Sequence, residues 1–468
     1  MDFVDQLIAR LGPYGVLIDP VDTKPYLSDW RGIFHGTAIA VVLPQSTEQV
    51  QTVVALCQEY SIAIVPQGGN TNLTGSATPE ISGQQIVLSL KRMNSVRSMD
   101  LQNQTMTVEA GCILQTIQDK AAEYGLLFPL SLAAEGSCTI GGNLATNAGG
   151  INVLRYGNTR DLCLGIEAVT ASGEVLHGLR GLRKDNTGYD LRNLLIGSEG
   201  TLAIITAAVI KLFPAPINRC AALIAVNDYD VIVRLLHTLQ RSAANELTAF
   251  EIMSQESLEL TVAHFPQFAN PIFSRSKHTL LIELSEFSQS IQANQILEDV
   301  LGPALELDDI QDVIISSSLS QVKQFWGVRE HITLAQVKEL GNIKFDISFE
   351  ISKIGDFITS TSELLLASFP GIRIINFGHF GDGNLHFNLC PPPAADHAYL
   401  PMHEEAINTI IYAQIELYSG SISAEHGIGQ LKRDYLQEHR GQTAYQMMKE
   451  IKRALDPHHL LNPHKVLK

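Results

Sequence analysis

The 468-residue sequence predicts an α+β fold in two principal domains, and three observations predict it. Residues 37–66 read as strand, helix, strand, and the unit ends directly in glycines. Further strands follow up to residue 213, two of them as a hairpin. Beyond Pro214-Ala215-Pro216 the pattern changes to apolar strands alternating with helices, an α+β cap, so the domain boundary is placed there.

Each element has its own signal. MDFVDQLIARLG is an amphipathic helical pattern with two early acids. In 37–66 the run AIAVVLP is followed by Ser46-Thr47-Glu48-Gln49, a capping box, then a helix to about Tyr60 and the strand IAIVP. Strands follow at IVLSL (86–90) and TMTVEAG (105–111), with a helix around Leu114 to Tyr124. Ser131 to Gly150 shows little periodicity. GIEAVT and EVLHG flank the turn Ala171-Ser172-Gly173, and LAIITAAVIKLF is a long strand. In the cap, AALIAV, HTLLIEL, IKFDISFEI, IRIINFGHF and LHFNLC alternate with helices such as 228–243, 319–339 and 400–418. The expected organisation is a first domain over 1–216, a cap over 217–425, and a helical, Pro-broken segment over 426–468 that packs back on the first domain.

Bulk properties narrow the function. A formal charge of -16 with no Lys/Arg-rich run repels phosphate backbones and anionic headgroups, so no nucleic-acid partner is expected. An anionic substrate would then need cations concentrated in its pocket. The six cysteines lack any CxxC and read as reduced structural thiols. The N-terminus resembles neither a secretory signal nor an Arg-rich transit peptide, and no apolar run reaches the roughly 18 residues of a membrane span. A cytoplasmic location is expected.

Two glycine-rich loops carry chemistry. Pro66-Gln67-Gly68-Gly69-Asn70-Thr71-Asn72 leaves a strand and offers backbone N–H groups that could cradle a pyrophosphate, although a tight turn explains it as readily. It is neither GxGxxG nor a P-loop. The second loop, from Ser131 to Gly150, is almost all small residues, and a stretch of that length inside a domain is usually functional.

PQGGNTN and AAEGSCTIGGNLATNAGG, followed by Arg155-Tyr156-Gly157, Gly188-Tyr189-Asp190-Leu191 and Ile196-Gly197-Ser198-Glu199-Gly200-Thr201-Leu202, resemble the FAD-linked oxidases of the vanillyl-alcohol oxidase/p-cresol methylhydroxylase type. The order and spacing of all five blocks match. The resemblance implies a two-subdomain FAD-binding domain with an antiparallel-sheet substrate domain. It implies flavin contacts from Pro66, Gly68, Gly69, Asn70, Thr71, Gly136, Ser137, Thr139, Gly142, Asn143, Asn147 and Gly200, with Asn462 of the C-terminal Asn462-Pro463-His464-Lys465 beside the flavin. Cys138 is not at an attachment position, so FAD is expected to be non-covalent. Asn72 departs from the family, where glycine is common, and Phe380 replaces a common Leu.

In Asn376-Phe377-Gly378-His379-Phe380-Gly381-Asp382-Gly383-Asn384-Leu385-His386-Phe387-Asn388, the run Gly381 to Asn384 is a turn signal between two apolar strands. The expected pairing sets Phe380 against Leu385 and His379 against His386, with Cβ atoms about 4.5 to 5.5 Å apart. Asn388 shares that face. Ser423-Ala424-Glu425-His426-Gly427-Ile428-Gly429 adds a hard oxygen, making His379, His386 and Glu425 a three-ligand set for a divalent metal. Zinc is favoured by ligand type, and manganese, cobalt or iron(II) also fit.

GHFGDGNLHFN and ISAEHGIG resemble the metal and catalytic blocks of the family's D-2-hydroxy acid dehydrogenase branch. The implied chemistry is oxidation of a D-2-hydroxy acid to the 2-oxo acid, with His426 as the base. D-2-hydroxyglutarate is the leading substrate. Arg329 and Thr333, four apart on one helix face, and Lys344 match positions that hold the remote carboxylate there, and Asn388 and His426 match substrate contacts. From spacing alone, Arg329 and Thr333 read as an ordinary exposed helix face. The implied acceptor is an electron-transfer flavoprotein or a quinone pool, and a homodimer is left open. The alternatives are a D-lactate or glycolate dehydrogenase, a zinc hydrolase, and a catalytically silent binding protein.

Overall fold

The computed structural model describes residues 2–290, 292–339 and 341–468. The chain forms two compact units. The first comprises 1–149, 156–214 and 425–468, and the second 150–155 and 215–424. Among the described residues, no helix is long and apolar enough to cross a membrane.

The first unit holds two main sheets. One has strands β1 (Val16–Leu17), β2 (Val41–Val42), β3 (Ala63–Gln67) and β4 (Gln85–Ser89) in the order β1-β2-β4-β3, parallel apart from β1. Helix Thr47–Tyr60 connects β2 to β3, and the Ser46 side chain caps it by accepting from Gln49 N. The capping box closes one residue early, because Gln49 Oε1 accepts from Gln45 N at 2.8 Å. AIAVVLP yields a strand of only two residues, Val41–Val42. Val50, Val53, Val54 and Cys57 of the helix are buried with Ile64, Ile86 and Leu88 of the sheet.

The other sheet is antiparallel, built from β5 (Val96–Asp100), β6 (Thr105–Glu109), β8 (Cys163–Thr170), β9 (Val175–His177) and β10 (Ala203–Lys211) in the order β5-β6-β10-β8-β9. Between β6 and β8 lies β7 (Leu126–Leu127), which pairs with β11 (Phe213–Pro214). The second glycine loop is not structureless: Ile140–Thr146 is a helix, ended by Asn147 at φ 51°. Glycine-rich composition hid it, since Gly141 and Gly142 have low helix propensity. A Cβ at Gly141 would lie 2.6 Å from that of Ala110, so packing decides this helix.

The C-terminal segment completes this unit. Ile64 N donates to Leu460 O and Asn462 N to Ile64 O, so 460–462 extends the sheet beside β3. Asp456, fully buried, accepts from Leu460 N, Leu461 N and Lys452 Nζ, while Lys452 Nζ also donates to Thr201 O and Leu461 O.

The second unit is one seven-stranded antiparallel sheet: β12 (Asn218–Val226), β13 (Leu247–Ser254), β14 (His278–Glu286), β15 (Asp312–Ile315), β16 (Asp346–Ser348), β17 (Arg373–Gly378) and β18 (Asn384–Cys390), in the order β15-β12-β14-β13-β17-β18-β16. Strands β13 and β15 lay outside the sequence reading. Helix Leu319–Val337 buries Val322, Phe325, Trp326, Ile332 and Ala335 with Met253 and Phe377 of the sheet. All six cysteines are buried and unpaired.

Candidate active site

In the second unit the sheet register assembles a polar cluster on one face. Met253 pairs with Phe377, Phe377 with His386, and His386 with Asp346, a continuous lateral row across β13, β17, β18 and β16. Laterally paired residues, and residues two apart on a strand, share a face. Continuing the β13–β17 register by one step sets Glu251 opposite His379, two residues from Met253 and Phe377 on the same face. The expected pairing of His379 with His386 is corrected: His386 stands opposite Phe377, and β17 ends at Gly378. A wider turn is the cause. Phe380–Asp382 forms a 3₁₀ turn, closed by Gly383 at φ 86° where a Cβ would lie 2.3 Å from Phe349 O. The two imidazoles still meet, with ring centroids 5.6 Å apart and ligating nitrogens within 4.8 Å.

Glu251, unremarked in the sequence, links this cluster. Its Oε1 lies 2.6 Å from His379 Nδ1, and its Oε2 accepts from Arg329 Nε at 2.8 Å. Its side chain is 1% exposed. Burial opposes its charge, but His379 and Arg329 outweigh that and hold the carboxyl below the usual carboxylate range. Arg329 is only 7% exposed and its guanidinium lies 4.6 Å from the Phe377 ring centroid, so the exposed-helix reading is overturned. Helical spacing brings Thr333, half-buried, and Gln336, fully buried, toward the face Arg329 occupies. Gln336 Oε1 accepts from Asn388 Nδ2 at 3.0 Å, and Asn388 Oδ1 from Phe345 N at 3.2 Å. Asn388 is therefore anchored between helix and sheet. Lys344 is half-buried, one residue after Ile343, which bridges Leu389. Asp346 Oδ1 lies 3.9 Å from His386 Nδ1.

In the first unit the two glycine loops are packed together. A Cβ at Gly69 would lie 2.1 Å from Ser137 O, and one at Gly68 would lie 2.4 Å from Thr139 Oγ1. Gly200, at φ 71°, sits against the Pro66 ring, 3.1 Å from its own notional Cβ. The N–H groups of 68–72 donate to no acceptor among the described residues. Asn70 uses its side chain to hold Ser28 O and Pro25 O, and Asn147 Oδ1 accepts from Arg160 N, so both shape the backbone. Thr71, Gly136, Ser137 and Gly142 lie along the same loops, and Gly136 faces open space. Thr139 Oγ1, Asn143 Oδ1 and Asn462 Oδ1 are buried without a hydrogen-bond partner among the described residues. Both Asn462 amide hydrogens are engaged, by Ser76 O and Glu199 O. Unspent amide donors beside orphaned buried acceptors fit a ligand with an anionic phosphate end and a ring bearing N–H groups, as in FAD.

The same unit holds the backbone around His426. Asn72 Nδ2 donates to His426 O at 3.1 Å, and Thr74 Oγ1 to the same oxygen at 3.3 Å. Glu199 accepts from Ile428 N at 2.7 Å and Gly429 N at 2.9 Å, while burial pushes its carboxyl above the usual range against those bonds. Glu425 lies against Gly149, where a Cβ would meet its Oε1 at 2.7 Å. An oxygen of Glu425 and a ring nitrogen of His426 are within 4.8 Å of each other.

Residues 38–178 match the FAD binding domain family, and residues 215–466 match the C-terminal domain of FAD linked oxidases. The chain belongs to the FAD-linked oxidase family. It is an FAD-dependent oxidoreductase, which sets aside the hydrolase and silent-binder alternatives. It is 37% identical over 448 residues to D-2-hydroxyglutarate dehydrogenase of Xanthomonas citri pv. viticola, covering 96% of this chain and 93% of that protein. It is 35% identical to the mitochondrial D-2-hydroxyglutarate dehydrogenase of Bos taurus, covering 98% and 82%. The fold is that of p-cresol methylhydroxylase, solved with substrate bound: TM-score 0.77, 18% identity, covering 99% and 96%. FAD-linked oxidase membership thus agrees with the antiparallel sheets and the twin glycine loops.

Proposed function

We propose that this FAD-linked oxidase oxidises D-2-hydroxyglutarate to 2-oxoglutarate with the help of one divalent ion. The observation that carries the reading is Arg329, a buried cation on the sheet face that holds His379 and His386. Its Nε is spent on Glu251, while its two Nη groups make no hydrogen bond among the described residues and can take a carboxylate as a fork. The names of the relatives, 34–37% identical over nearly the whole chain, support the same substrate.

His379, His386 and Glu425 would hold the ion. Two facts support one set: the imidazole nitrogens are within 4.8 Å, and Glu425 follows Ala424, whose N–H donates to the carbonyl of Asp346, the strand partner of His386. Two imidazoles and a carboxylate suit zinc, with manganese, cobalt and iron(II) as outcomes of metal analysis. When bound, the ion lowers the pKa of a hydroxyl it polarises and FAD accepts the hydride. His426 takes the hydroxyl proton on its ring nitrogen, while Asn72 and Thr74 hold its main chain. Arg329, Thr333 and Lys344 bind the remote carboxylate. Asn388, fixed by Gln336, orients the substrate end nearer the histidines. FAD is held without a covalent bond by the loops of Gly68 to Thr71 and Gly136 to Asn147 with Gly200 and Asn462; burial pushes the Cys138 thiol up to about 11, unsuited to attachment. An acceptor of the electron-transfer flavoprotein or quinone class completes the cycle.

Anaerobic titration followed by flavin absorbance tests the substrate. D-2-hydroxyglutarate should bleach the flavin, and Arg329→Lys, which keeps a charge for Glu251 but loses the fork, should lose about 10- to 100-fold in kcat/KM on that diacid, the equivalent of about 1.5–3 kcal/mol. Turnover on D-lactate should change little. Faster turnover of D-lactate by the wild type, with no loss on the diacid in the variant, would sink the assignment.

A further inference from the structure

We propose that Glu251 is a positioning residue that serves both halves of the site at once: it holds the His379 ring as the Nδ1–H tautomer, leaving Nε2 to ligate, and it locks the Arg329 fork. The inference deepens the metal-assisted reading above and rests on it. Three observations carry it. The carboxylate splits its oxygens, Oε1 to His379 Nδ1 at 2.6 Å and Oε2 to Arg329 Nε at 2.8 Å. It is held rigidly, since Glu251 pairs with Leu281 inside the sheet between Phe250, paired with Ile282, and Ile252, paired with Leu280. It is almost wholly excluded from water.

The chemistry follows from the atoms. A carboxylate can only accept, so the hydrogen between it and His379 sits on Nδ1, and a neutral imidazole then has its lone pair on Nε2. A partner of this kind fixes ring orientation and raises the basicity of a ligating histidine. The same carboxylate balances the Arg329 charge, so the diacid is recognised by the directed Nη donors more than by net attraction. Asp346 lies on the His386 side, 3.9 Å from that ring.

Glu251→Gln tests the idea, because a Gln amide can donate to Nδ1 and favour the other tautomer. The FAD-loaded enzyme is stripped with a chelator and titrated with Zn²⁺ alone, for wild type, Glu251→Gln and His379→Ala, with flavin absorbance confirming the fold. Wild type should bind one ion per chain, Glu251→Gln should bind it about 10- to 100-fold more weakly, and KM for D-2-hydroxyglutarate should rise in the same variant. Equal Zn²⁺ affinity in wild type and Glu251→Gln, with His379→Ala impaired, overturns the role of Glu251 and leaves the metal reading standing. No stoichiometric binding by wild type, or binding by His379→Ala equal to it, overturns both. If Glu251→Gln does not fold, the ¹⁵N shifts of His379 in the wild type decide: protonation at Nδ1 is expected, and a neutral ring protonated at Nε2 overturns the proposal.

Discussion

Asn72 shows how much one side chain can organise. Its Oδ1 accepts from Thr74 N, Thr74 Oγ1 and Ser76 N, while its Nδ2 reaches His426 O. Both ends of the Asn72 side chain are thus engaged, one of them with the main-chain carbonyl of the proposed base. Asn72→Asp would keep the acceptor and turn the donor into an oxygen facing the His426 carbonyl at 3.1 Å. The cost of such a mismatch is about 1–3 kcal/mol. We expect flavin content to be retained while the anaerobic bleaching rate falls about 10-fold or more. An unchanged rate would remove Asn72 from the positioning of His426. The glycine loops themselves were legible from composition, because only residues without side chains allow approaches such as Gly69 to Ser137. The use of Asn72 was not, because its partner is 354 positions away.

At the scale of elements, the helix Leu319–Val337 and the sheet beneath it present Arg329, Gln336 and the histidine pair together. Just past the C-terminus of that helix, Glu339 is pinned by His264 Nε2 at 2.6 Å and by the Arg373 guanidinium at the start of β17. Burial pushes its pKa up, but the hydrogen bonds from Arg373 and His264 outweigh this and the carboxyl ends below its ordinary 4.5. A depressed carboxyl pKa contributes stability that is present above the unfolded value and lost as pH falls through the folded one. Glu339→Gln should therefore be less stable than wild type at neutral pH, by about 1–3 kcal/mol. The gap should close as pH drops below 4.5, measured by urea denaturation across pH 3 to 8. A gap that persists unchanged in acid would show that the loss is steric. The turn between β17 and β18 was legible as a turn and misread in register, because Gly383 adopts a left-handed conformation after a 3₁₀ turn. Strand β13 went unread although it carries Glu251. Its eight residues are nearly all buried, with no alternation to mark a strand.

For the molecule as a whole, the chain returns at its end to the unit where it began. Residues 460–462 join the first sheet beside β3, and the buried Lys452–Asp456 pair ties the preceding helix to that junction. Asp456→Ala would strand the Lys452 ammonium among carbonyls and free two amide donors. Losing one partner of a buried ion pair costs about 3–5 kcal/mol. We expect a lowered melting temperature and faster loss of FAD on gel filtration, because Leu460 and Leu461, which lead into Asn462, would lose their hydrogen bonds to Asp456. A variant as stable as wild type, with full flavin content, would refute this.

What the sequence alone determined were the features written locally: the strand and helix periods, the close-packing glycines, the break at Pro214-Ala215-Pro216, and the residue types able to bind FAD and an ion. Those follow from backbone sterics and side-chain chemistry, which need no distant partner. Tertiary structure alone decided the register that sets Glu251 opposite His379, the burial of Arg329, and the hold of Asn72 on His426. Each of these depends on a contact between residues 70 or more positions apart, and no local pattern encodes which two will meet.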